Sequence, residues 1–71
     1  MKRQTVAARR IRKLMNEFEM SGVEFADSVG VSPVTVSRWV NGRRNVQAGA
    51  VLKIASVYGL DWKEWWPELV A

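Results

Sequence analysis

Apolar positions recur at helical spacing along almost the whole chain. Ala7, Ile11, Leu14, Met15 and Phe18 form one stripe and predict a helix over 6–18. Phe25, Ala26 and Val29 do the same over 22–29, and Val36, Trp39 and Val40 over 33–41. Val51, Ile54, Ala55 and Tyr58 mark a fourth helix over 47–58, and a short fifth is expected over 62–66. Punctuation agrees with periodicity. Ser21 with Glu24 forms a capping box, and Ser32 followed by Pro33 is an N-cap with a first-turn proline. Gly30, Gly42 and Gly59 supply the positive φ that ends helices. Asp61 caps the last helix, with Glu64 at the capping-box position, and Pro67 stops it. No segment shows strand periodicity, and there is no repeat, linker or low-complexity stretch. The expectation is an all-α, compact five-helix fold in a single domain spanning residues 1–71.

The chain has 71 residues and no cysteine, so neither a disulfide framework nor a thiolate metal site supports it. Its small core depends on helix packing, to which four tryptophans contribute much of the apolar area. No apolar run approaches the roughly 18 residues of a membrane span. The charged N-terminus lacks a signal-peptide core, so a soluble, cytoplasmic protein with no membrane role is expected. No histidine or cysteine is present, and the carboxylates form no evident catalytic pair. The sequence therefore argues against an enzyme, a cofactor, a metal centre or a small-molecule substrate.

Charge placement adds more than the net value of +4. Residues 1–13 hold Lys2, Arg3, Arg9, Arg10, Arg12 and Lys13 and no acid. Residues 14–37 hold Glu17, Glu19, Glu24 and Asp27 and no base, after which Arg38, Arg43 and Arg44 are basic again. Such a molecule has a basic and an acidic face, and the basic one suits a polyanion. Arg9, Arg10, Arg12 and Lys13 cannot all share one face of a helix, so the N-terminal cluster overstates the binding charge. Residues 1–5 read as a flexible basic arm.

Residues 20–42 carry the most specific signal. Two short helices meet at Gly30, and the second keeps Pro33, Val34, Ser37, Arg38 and Asn41 on a face with nothing to pack against. A helix–turn–helix with a free outer face fits the DNA major groove. Arg38 can donate two hydrogen bonds to guanine O6 and N7, or can contact phosphate. Ser37 can reach a base edge or a phosphate, while Pro33 and Val34 can only pack, with thymine methyls as the obvious surface. Thr35, Asn41, Arg43 and Arg44 suit the DNA backbone, as does Ser21 at the start of the preceding helix.

These residues resemble the Cro and phage-repressor family of helix–turn–helix proteins. The likeness runs from about Ile11 to Trp66. It is carried by Ile11 and Leu14, Phe25-Ala26, Gly30-Val31-Ser32, Thr35 to Trp39, Asn41-Gly42, Leu52 to Ala55 and Tyr58-Gly59-Leu60. It implies a lambda-repressor-like DNA-binding domain, double-stranded DNA as partner and a homodimer. Three departures stand out. Gly22 occupies a position where the family often has Gln, and Pro33-Val34 makes the outer face drier. Met15 and Val40 stand where many members pair an Arg with a Glu. Losing both charges together avoids stranding one of them.

One such helix spans few base pairs, so a pseudo-palindromic operator read by two copies is expected. Residues 61–71, with Trp62, Trp65, Trp66, Pro67, Leu69 and Val70, form the expected dimer segment, although some of these tryptophans are needed in the core. The resulting expectation is a sequence-specific, Cro-like transcriptional repressor, working at the nucleoid of a bacterial or phage-infected cell. The alternative is an antitoxin-type protein whose tryptophan-rich end binds a protein partner as well.

Overall fold

The computed structural model describes residues 5–70. Among them are five α-helices: α1 (Val6–Glu17), α2 (Gly22–Val29), α3 (Pro33–Val40), α4 (Ala48–Tyr58) and α5 (Trp62–Trp65). A 3-10 turn over Pro67–Val70 follows, so Pro67 ends α5 but opens another ordered element. The basic arm expected at Lys2 and Arg3 lies outside the described residues. Thr5 belongs to α1 as its N-cap, with Oγ1 accepting the Ala8 N–H at 3.0 Å.

Side-chain caps start most of these helices. The Ser21–Glu24 capping box is complete: Ser21 Oγ accepts the Glu24 N–H, and the Glu24 carboxylate accepts the Ser21 N–H at 2.9 Å. Ser32 Oγ accepts from Thr35 N–H and also meets the Thr35 hydroxyl at 2.9 Å. Asp61 caps α5 through the Lys63 N–H. Gln47 is the N-cap residue of α4 but makes no side-chain cap bond, and the helix starts at Ala48.

Four helices finish alike, with a left-handed residue and an N–H reaching back five positions. The left-handed residues are Glu19, Gly30, Gly42 and Gly59. The bonds run from Met20 to Met15, Val31 to Ala26, Arg43 to Arg38 and Leu60 to Ala55, each at 2.9–3.0 Å. This is the Schellman closure, in which the donor residue usually also makes an apolar contact. Met20, Val31 and Leu60 do pack against the core. Arg43 is the exception and stays exposed.

The core draws on every helix but α5. It comprises Ala8, Ile11 and Leu14, Phe25, Ala26 and Val29, Val36 and Trp39, then Val51, Ile54 and Ala55, with Trp66 added from beyond α5. Ala8 rather than Ala7 is the fully buried alanine of α1, while Ile11 and Leu14 are buried as the stripe predicts. Phe18 lies past the last helical residue and is 51% exposed, its ring tilted against Tyr58 at 4.8 Å. Phe25 also stacks with Tyr58, at 5.7 Å. Fully burying a side chain of that size contributes about 1.5–3 kcal/mol. Ser28 Oγ donates to the Phe25 carbonyl at 2.7 Å and meets the Tyr58 hydroxyl, which itself donates to Met20 Sδ at 3.1 Å, so α2 is tied to α4. No polar side chain is buried among the described residues.

Trp66 corrects one expectation. It is 8% exposed, edge-on to Trp65 at 5.0 Å, with Arg10 lying 4.9 Å from its ring centroid. Arg10 also grips Glu68 with both terminal nitrogens, at 2.7 and 3.0 Å. Trp66 is therefore core, covered by α1, and little of it remains for a dimer partner. Trp62, Trp65 and Leu69 are half-buried and Pro67 is exposed.

Candidate nucleic-acid interface

Local sequence explains why α3 presents a free face. Its eight residues are held by the Ser32 cap and Pro33 at one end and the Gly42 closure at the other. Val36 and Trp39 are buried and Val40 half-buried, so the helix cannot rotate. Pro33, Val34, Ser37, Arg38 and Asn41 all remain exposed, Val34 by 58%. An open groove runs along this face, lined by Val34, Ser37, Arg38, Asn41 and Arg43. Arg43 belongs to it because the α3 closure puts a charged residue where the other closures put an apolar one.

Arg43 and Arg44 are neighbours in sequence but part in space. Arg44 lines a second cleft with Val31, Thr35, Trp39, Asn45, Gln47 and Ala50, on the α4 side of α3. The two arginines thus line different clefts beside α3. The Thr35 hydroxyl is engaged with Ser32 at the base of the helix.

Asn41 is less free than its exposure suggests. Its side-chain nitrogen donates to the Ser37 carbonyl at 2.9 Å and to Ser37 Oγ at 3.3 Å. The amide oxygen remains, and it can accept a hydrogen bond but cannot donate one to a phosphate. Ser37 Oγ, accepting from Asn41, keeps its own proton to donate. The Arg38 guanidinium bonds to no other described residue, so all its donors remain available.

At α2, Ser21 and Glu24 satisfy each other, and the Gly22 and Val23 amides remain at the helix start. The Ser21 backbone N–H, followed by its hydroxyl, holds the Glu24 carboxyl below the usual carboxylate range. A Cβ at Gly22 would meet only Val36 Cγ1, at 3.9 Å, so packing does not demand glycine there.

Sequence reasoning missed Arg12. From α1 its Nε donates to the Val40 carbonyl at 3.1 Å, at the C-terminal end of α3. The two residues are 28 apart, and no local pattern signals such a bond. Arg10, from the same basic cluster, is engaged with Glu68 and Trp66. Among the described residues no group of His, Cys, Asp or Glu could hold a metal ion, and no helix is long and apolar enough to cross a membrane.

Five helices with α2 and α3 joined at a left-handed glycine, and with the outer face of α3 open, define a repressor-like helix–turn–helix protein. The chain belongs to the helix-turn-helix family, which it matches over residues 11–65. Its fold is that of the DNA-binding domain of the P22 C2 repressor, whose structure was determined in solution by nuclear magnetic resonance. The two agree with a TM-score of 0.75, covering 89% of this chain and 83% of that one at 17% identity. No curated protein matches the chain in sequence.

Proposed function

We propose that this protein is a sequence-specific, double-stranded DNA-binding regulator of transcription, acting in the cytoplasm as a homodimer on a pseudo-palindromic operator and repressing by covering a promoter. The outer face of α3 carries the reading: Pro33, Val34, Ser37 and Arg38 are exposed, while Val36 and Trp39 fix the helix from behind. In this reading Arg38 forks onto a guanine, and Val34 with the Pro33 ring packs on thymine methyls. Ser37 donates to a base edge or a nearby phosphate. Arg43 and Arg44 neutralise phosphates on the two sides, and the first-turn amides of α2 beside Ser21 hold another. Asn41 contributes by orienting Ser37 rather than by donating to the backbone.

Dimerisation supplies the second half-site. The segment after Gly59 is the favoured interface, because Trp62, Pro67 and Leu69 leave apolar surface there without touching the α3 face. Selection of bound sites from random duplexes, followed by affinity measured against salt, tests the whole reading. The expected result is a two-fold symmetric site with half-site centres about 34 Å apart. The logarithm of affinity should fall with that of salt at about −0.9 per neutralised phosphate. Absence of an enriched sequence, or affinity indifferent to salt, refutes it.

A further inference from the structure

Arg12 lies outside the helix–turn–helix, yet it touches the end of α3. In the closure of α3, the Arg43 N–H bonds to the Arg38 carbonyl and the Gly42 N–H to the Trp39 carbonyl. The Val40 carbonyl is left over, and the Arg12 Nε fills it at 3.1 Å. A guanidinium suits this place for two reasons. The last carbonyls of a helix carry the negative end of its dipole, and a charged donor makes the stronger hydrogen bond. Met15 and Val40 are both half-buried at the rim of the core. So α1 holds α3 by apolar packing and by one bond to a backbone atom, with no side-chain ion pair between those two positions.

That bond uses one of three guanidinium nitrogens. Nη1 and Nη2 donate to no other described residue, and the side chain is exposed. They project at the C-terminal end of α3, away from the N-terminal turns that reach deepest toward bases. A planar fork with two free nitrogens matches phosphate oxygens in geometry and charge.

We infer that Arg12 is a positioning residue for α3: its Nε fixes the C-terminal end of the helix while Nη1 and Nη2 bind the DNA phosphate beside that end. The phosphate half rests on the DNA-binding reading above. The positioning half does not.

The test compares the full chain with Arg12→Ala and Arg12→Lys. Amide hydrogen exchange at Gly42 and Arg43 reads the positioning. Salt-dependent affinity for the selected duplex reads the phosphate contact. In Arg12→Ala, exchange at both amides should accelerate about fivefold, the equivalent of one modest hydrogen bond. The magnitude of the salt slope should drop by about one. Arg12→Lys keeps the charge and the slope but not the protection, because a single ammonium cannot serve both places. Unchanged exchange in Arg12→Ala overturns the positioning role, and an unchanged slope overturns the phosphate role. If the wild-type chain binds no duplex, the phosphate role falls with the proposed function. If the wild type binds and Arg12→Ala shows the same slope, the phosphate role falls alone.

Discussion

Arg38→Ala separates base reading from simple charge attraction. The Arg38 side chain makes no hydrogen bond within the described residues and is exposed, so its removal strands no partner. Alanine is also the better helix former, and stability should stay within about 0.5 kcal/mol of the wild type. Loss of a bidentate guanine contact costs about 1–3 kcal/mol, or about 5- to 140-fold in affinity for the preferred site. Val34 lies four residues earlier on the same face, about 6 Å along the helix axis. Base pairs repeat at about 3.4 Å, so the guanine and thymine preferences should fall about two steps apart or fewer. The assay is titration of labelled duplexes carrying each single base change, at two salt concentrations. Arg38→Ala should flatten the preference at one position per half-site and spare the others. Arg38→Lys keeps the charge without the fork, so it should preserve the salt slope and still lose discrimination. Equal weakening on every duplex, with a shallower slope, would make Arg38 a phosphate contact and refute the reasoning.

Glu19 is the one described non-glycine residue at positive φ, at 51°. Glu19→Gly should therefore raise stability by about 1 kcal/mol, a melting shift of about 4–8 °C, whereas Gly30→Ala, placed at φ 72°, should lower it. A neutral result at either position argues against strain in these closures. The Arg10 hydrogen bonds hold the Glu68 carboxyl below the usual carboxylate range. The clasp thus stabilises the fold above the unfolded pKa and is lost as pH falls through the folded one. The Trp66 indole signal should follow that titration in the wild type and not in Glu68→Gln. Trp62→Ala should weaken the proposed dimer about tenfold in sedimentation while leaving the monomer folded, and an unchanged dissociation constant would refute this interface.

Much of this fold was legible because periodicity and punctuation agree. Ser21 with Glu24, Gly30 with Ser32 and Pro33, and Gly59 each appear where the structure begins or ends a helix. What escaped the sequence is long-range or atypical. The end of α1 carries no glycine to signal it, and Glu19 takes the left-handed conformation instead. Arg12 reaching Val40 and Arg10 reaching Glu68 join positions far apart, and no pattern of period 3.6 encodes such a pair. The exposed face of α3 could be read from spacing alone. The engagement of the Asn41 amide and the parting of Arg43 from Arg44 could not, since both follow from the three-dimensional closure at Gly42. The tryptophans show a further limit. Their number signals apolar surface, but not that Trp66 is the one lying inside, packed against Trp65 and Arg10.

The two faces of α3 have no residue in common. Val36 and Trp39 answer to the fold, whereas Pro33, Val34, Ser37 and Arg38 answer to nothing inside the molecule beyond the cap and the Ser37–Asn41 link. Under the proposed DNA reading, the base preference of this face can drift without reopening the folding problem. A handful of outward substitutions could retarget the chain to a new site, provided positions 37 and 41 change as a pair.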